Sequence, residues 1–113
     1  MARRVLLVED DRVSRESLAN LLRGLGHEVI AVWSAEEAKE SLKTFTPDVA
    51  LLDVWLPGLP GDAFAVYLKH LLPLVRIVFM SGQLGPVDLT QFGPEATSIP
   101  KPLDFRRLFR ALE

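Results

Sequence analysis

Four short runs of apolar residues, Val5 to Val8, Val29 to Val32, Val49 to Leu52 and Ile77 to Met80, recur along the chain, rich in Val and Ile. Runs of this length without polar alternation read as strands buried on both faces. Helical patterns lie between them. Val13, Leu18, Leu21, Leu22 and Leu25 repeat near a 3.6 period, and Gly24 and Gly26 supply the stop. Ser34 with Glu37 forms a capping box that opens a second helix to about Thr44, and Pro47 closes the connection. Phe64, Leu68 and Leu71 mark a third helix that ends before Pro73, and Asp104 caps a last one with the stripe Phe105, Leu108, Phe109 and Leu112. Alternation of this kind predicts a doubly wound α/β domain, because parallel strands need right-handed crossovers that lay helices on both faces of the sheet. Residues 82 to 100 fit worst. Gly82, Gly85, Pro86, Gly93, Pro94 and Pro100 crowd the place of a fourth helix and fifth strand, so at most a short helix is expected there, near Val87 to Phe92.

At 113 residues the chain is enough for a single domain, taken as 1–113, which should expose about 6,200 Å² when folded. The absence of cysteine excludes disulfides, Cys-ligated zinc and thiol catalysis, and His27 and His70 have no ligand-like spacing. Thirteen basic against fifteen acidic side chains leave a net charge of −2, which carries no nucleic-acid footprint and no polybasic membrane patch. The apolar run after Ala2-Arg3-Arg4 stops at Glu9, too early for a signal peptide, and no stretch reaches the roughly 18 apolar residues of a membrane span. A cytoplasmic location is expected.

In open α/β sheets the ligand site lies at the carboxyl ends of the strands. There this chain places Glu9-Asp10-Asp11, Asp53, Ser81 and Lys101. Neither GxGxxG nor GxxxxGK occurs, and three acids after the first strand repel a phosphate unless a cation intervenes. Taken singly each residue has a plain structural reading: the acids as helix caps, Asp53 as a buried partner for Lys101, Ser81 as a turn hydroxyl, Lys101 as a surface lysine. Together they form a coherent chemistry. Carboxylates about 4 Å apart repel by roughly 4 kcal/mol per pair at an effective dielectric near 20, so Glu9, Asp10 and Asp53 need a cation to stay ionised together. Mg²⁺, hard and oxygen-loving, suits them. If Asp53 attacks a phosphoryl donor, the equatorial oxygens of the transferred group want a metal, an ammonium and a hydroxyl, which Asp10 (through its metal), Lys101 and Ser81 can supply.

The motifs Glu9-Asp10, Pro47-Asp48 before a strand ending at Asp53, Pro57-Gly58 with Gly61, Ser81-Gly82 and Lys101-Pro102 resemble those of response-regulator receiver domains, from Val5 to the last helix. The resemblance implies a flavodoxin-like, five-stranded parallel sheet of order 2-1-3-4-5. It implies that Asp53 accepts a phosphoryl group from a histidine kinase's phosphohistidine, with Lys101 and Ser81 assisting. Asp10, Asp53 and the backbone carbonyl of Trp55 would then bind Mg²⁺ directly, Glu9 through water, and the Lys101-Pro102 peptide would be cis. Such a protein is a signalling module that catalyses only its own phosphorylation and dephosphorylation. Its partners are a sensor histidine kinase or phosphotransfer protein and a possible downstream output domain or protein. The chain departs from the family at Ser98, where an aromatic is common three residues before the lysine, and in the glycines and prolines of its fourth-helix region, so the output signal is expected to pass through the segment from Gly82 to Ile99.

Two other classes stay open: a Mg²⁺-dependent aspartyl phosphohydrolase, whose common Asp-x-Asp after the first strand is absent, and a pseudo-receiver that only binds partners. Of the remaining features, Arg106, Arg107 and Arg110 read as a solvated basic face, Trp33 as packing, His27 and His70 as surface or helix-end residues, and Arg12 and Arg15 as part of a kinase-facing surface near the acids.

Overall fold

The computed structural model describes residues 2–82 and 88–113. In chain order the elements are β1 (Arg4–Val8), α1 (Arg12–Gly24), β2 (Glu28–Val32), α2 (Ala35–Ser41), β3 (Val49–Asp53), α3 (Gly61–Leu71), β4 (Arg76–Ser81), a 3₁₀ turn (Thr90–Phe92), β5 (Thr97–Pro100) and α4 (Phe105–Leu112). The five strands form one parallel sheet in the order β2-β1-β3-β4-β5. The expected doubly wound architecture and strand order are both present. Folded surface is 6473 Å², close to the value that scaling gives for this mass.

Successive strand residues point to opposite faces, and the apolar runs supply both. Leu6, Val8, Ala50, Leu52, Ile77 and Phe79 pack on one face against Phe64 and Leu68 of α3 and Ala35 and Ala38 of α2. Val5, Leu7, Leu51, Val78 and Met80 pack on the other against Leu18 and Leu22 of α1 and Leu108 and Leu112 of α4. The three central strands are therefore buried on both sides.

β2 departs from the expectation of complete burial: Glu28 is exposed and Ile30 and Ala31 are only half-buried. It is an edge strand, and its cover on one side is the short α2. Trp33, expected to pack, is 52% exposed for the same reason, since it follows the edge strand out of the sheet. α2 stops three residues before Thr44. Ser41 Oγ donates to Ala38 O at 2.7 Å, and the amides of Lys43 and Thr44 bond three residues back, so the chain tightens out of α-helical geometry.

Among the described residues the connection from β4 to β5 holds no α-helix. The helix expected near Val87 to Phe92 is one 3₁₀ turn over Thr90–Phe92, with Asp88 Oδ1 accepting from the Thr90 amide and hydroxyl. Val87 itself lies outside the described residues. Phe92 is buried, its ring edge-on to Phe79 with centroids 5.2 Å apart, and so fills the space a longer helix would cover.

Both outer edges of the sheet carry a guanidinium. Glu28 N and Val32 O bond inward to the β1 side, so Val29 faces outward, and its carbonyl accepts from Arg23 Nη2 at 3.0 Å. On β5 the outward carbonyl of Ser98 accepts from Arg107 Nη2 at 3.3 Å.

Candidate functional site

The carboxyl ends of β1, β3, β4 and β5 meet at one end of the sheet and bring Glu9, Asp10, Asp53, Ser81 and Lys101 together. Glu9 follows β1, and its amide bonds to Val32 O at 3.1 Å, which extends the sheet by one residue and keeps the side chain 2% exposed. Asp53 is the last residue of β3 and is 5% exposed. Its Oδ1 accepts the Trp55 amide at 2.9 Å, a tight turn that ends the strand. Ser81 ends β4, one residue beyond Met80, which pairs with Asp53 across the sheet. It is buried.

Lys101 reaches into this cluster from the end of β5. Its amide donates to Ser81 O at 2.8 Å, and the Lys101-Pro102 peptide is cis. The Nζ donates to Glu9 Oε1 at 2.5 Å and to Asp53 Oδ2 at 2.9 Å. Burial pushes the Lys101 pKa down, but the two carboxylates outweigh it and hold the ammonium above its ordinary value. Burial pushes the Glu9 carboxyl above its ordinary value, against the pull of Lys101. Burial thus makes the Glu9 carboxylate costly to keep ionised without a further cation.

Asp10 is exposed, and carboxylate oxygens of Glu9, Asp10 and Asp53 all lie within 4.8 Å of one another. Three ionised carboxylates and one ammonium leave two negative charges, which a divalent cation would balance. The donors are oxygen only, a set that fits a hard cation such as Mg²⁺. Asp11, third in the acidic run, is a helix cap: its Oδ2 accepts the Ser14 amide at 2.9 Å, and that bond lowers its pKa.

Two residues near the cluster were not assigned roles in it from the sequence. A Cβ on Gly61 would run into the Asp53 carbonyl oxygen, so the first turn of α3 approaches β3 as only glycine allows. Arg15, expected only as a partner-facing side chain, bonds to the main chain of Glu9 and Asp10. A glycine opening a helix soon after a strand, and an arginine at the positive end of a helix, are the signals that point to each. Trp55, whose carbonyl is the expected ligand, has its indole 60% exposed beside the site. A groove of about 600 Å³ between α1 and the β5–α4 connection is lined by Leu18, Leu21, Met80, Leu103 and Phe105, with Glu9 and Lys101 among its walls.

The family profile described as Response regulator receiver domain matches residues 5–113. Nodulation protein W of Bradyrhizobium diazoefficiens is 40% identical over 86 residues, covering 76% of this chain and 37% of that protein. Response regulator protein FleR of Pseudomonas aeruginosa is 39% identical over 88 residues, covering 78% of this chain and 18% of that protein. The chain thus spans well under half the length of these relatives. A CheY-like response regulator receiver domain from Methanospirillum hungatei superposes with a TM-score of 0.88 at 25% identity, over 99% of this chain and 91% of that one. With the acidic cluster at the end of a 2-1-3-4-5 sheet, these matches make the chain a member of the response regulator receiver domain family of two-component systems.

Proposed function

We propose that Asp53 is the phosphoryl acceptor of this receiver domain and that Mg²⁺ is its cofactor, held by Asp10, Asp53 and the Trp55 carbonyl, with Glu9 reaching it through water. The observation that carries this reading is the bridge of one ammonium between two buried carboxylates, Glu9 and Asp53, beside a third, exposed one. Such a cluster carries an excess of negative charge until a further cation enters, and gains a place for a phosphoryl group once it does. Bound Mg²⁺ would neutralise the carboxylates and the oxygens of the incoming phosphoryl group.

The chain's own residues do the rest. An Asp53 carboxylate oxygen forms the new P–O bond as the P–N bond of a kinase phosphohistidine breaks and the imidazole leaves with its electron pair, taking a proton. Lys101 moves from Asp53 to the phosphoryl oxygens, a charge-assisted contact of the kind it already makes. Ser81 offers its hydroxyl to another of them. The hydrophobic groove between α1 and the β5–α4 connection receives the histidine-bearing partner, and the whole unit, residues 1–113, acts as one domain in the cytoplasm that signals to an output domain or protein. Among the described residues no helix is long and apolar enough to cross a membrane. The domain catalyses only its own phosphorylation and dephosphorylation.

Incubation with a small phosphodonor and Mg²⁺, followed by mass spectrometry of the trapped adduct, tests the assignment. One phosphate on Asp53, gained only with Mg²⁺ and absent from Asp53→Asn, is expected. An Asn variant that gains phosphate at the same rate overturns it.

A further inference from the structure

Arg15 lies in the first turn of α1, where the positive end of the helix dipole disfavours a cation. Its half-buried side chain turns back past the helix start, and Nη1 donates to Glu9 O at 2.9 Å and to Asp10 O at 3.3 Å. Arg12, one position into the same helix, behaves differently: it pairs with Glu16 at 3.1 Å and stays 79% exposed.

The carboxylates of the cluster differ in what holds them. That of Glu9 is fixed by Lys101 and by the Asp11 amide, and that of Asp53 by Lys101 and the Trp55 amide. The carboxylate of Asp10 accepts no hydrogen bond among the described residues, so its place depends on its main chain. The group bonded to that main chain at its carbonyl is the Arg15 guanidinium.

We infer that Arg15 is a positioning residue for the metal site, its guanidinium fixing the turn that aims Asp10 at the cation. This rests on the reading of Glu9, Asp10 and Asp53 as a Mg²⁺ site. The charge and the geometry of Arg15 make opposite demands. As a charge it repels Mg²⁺, and its loss should tighten binding. As a brace it orders a ligand before the metal arrives, and its loss should weaken binding, since the ordering must then be supplied on binding.

Isothermal titration calorimetry with Mg²⁺ alone separates these on the full chain. Arg15→Met should raise the dissociation constant about tenfold, or about 1.4 kcal/mol, while Arg15→Lys, which keeps the charge and one donor, should recover part of the loss. Arg12→Met, with the same charge change and no bond to the acidic turn, should bind Mg²⁺ as tightly as the parent or slightly more so. In the metal-free protein, hydrogen exchange at the Asp10 and Asp11 amides should quicken in Arg15→Met, with β1 unchanged. Equal or tighter Mg²⁺ binding by Arg15→Met overturns the inference. So does a fall in metal-free melting temperature, in both Arg15 variants, large enough to account for the lost binding, which would make Arg15 a support of the helix alone. If the parent protein itself fails to bind Mg²⁺, it is the reading of the metal site that falls.

Discussion

Lys101 and Asp53 lie 48 positions apart in the chain and meet at 2.9 Å, Nζ to Oδ2, at the ends of strands that are not neighbours. The same ammonium holds Glu9, so a single side chain offsets the repulsion of two buried carboxylates.

Lys101→Met should therefore destabilise the metal-free protein by about 2 kcal/mol, less than the roughly 3–5 kcal/mol of a fully buried pair, because the lysine side chain is 30% exposed. Mg²⁺ should restore more of the lost melting temperature in this variant than it adds to the parent, since it takes over the missing charge. Thermal melts with and without Mg²⁺ check both; an equal Mg²⁺ shift in the two proteins would refute the shared-charge account.

Gly61→Ala should lose about 2 kcal/mol and weaken Mg²⁺ binding, although alanine is the better helix former, because the added methyl meets the Asp53 backbone. Gly24→Ala is the matched comparison, in the last turn of α1 with open space around it, and should gain about 0.5–1 kcal/mol. Urea titration of both variants gives the signs.

How much of this was legible before the structure follows from how local each cause is. The apolar runs and the groups that end them, Asp53 and Ser81, announce themselves within a few residues, because a fully buried strand has a composition no exposed segment shares. The departure at Ser98, and the lack of an α-helix among the described residues between β4 and β5, were legible because glycines, prolines and a serine also act locally. Trp33 was misread because its exposure depends on β2 being an edge, which the residues around it do not encode. Phe92 gave no periodic signal, yet it fills the gap beside Phe79. Arg15 and Gly61 act on the main chain of Glu9, Asp10 and Asp53, and although Gly61 stands in the motif, the residue types alone do not say which main-chain atoms they meet.

His27 gives a pH dependence away from the site. Its Nδ1 accepts the Arg3 amide at 2.9 Å, and burial first, then nearby positive charge, that of Arg3 included, hold its pKa below the ordinary 6.5. The unfolded chain then binds a proton the folded one resists, so this stability is full above about pH 6.5 and is lost as the pH falls through the lowered folded value. Melting temperature between pH 7.5 and 5 should slope less in His27→Gln than in the parent; parallel slopes would remove His27 as the cause.

Trp55 should report cation binding. Its amide is bonded to Asp53 Oδ1, and its indole, 60% exposed, stands beside the cluster. Drawing that carboxylate toward Mg²⁺ loosens the turn and alters the indole's surroundings. Emission should change on Mg²⁺ titration in the parent and in Trp33→Phe, and should stay flat in Trp55→Phe. A response that survives in Trp55→Phe places the reporter elsewhere.

The guanidiniums of Arg23 and Arg107 on the outward carbonyls of Val29 and Ser98 bear on how copies of this protein coexist at high concentration. An exposed strand edge is a template for another chain to extend, and here each edge presents a charged side chain seated on one of the acceptors that an added strand would need. A second sheet approaching either side must first unseat an arginine and bury its charge. Light scattering of concentrated Arg23→Ala or Arg107→Ala should rise before that of the parent, as the two sides become open to end-to-end growth.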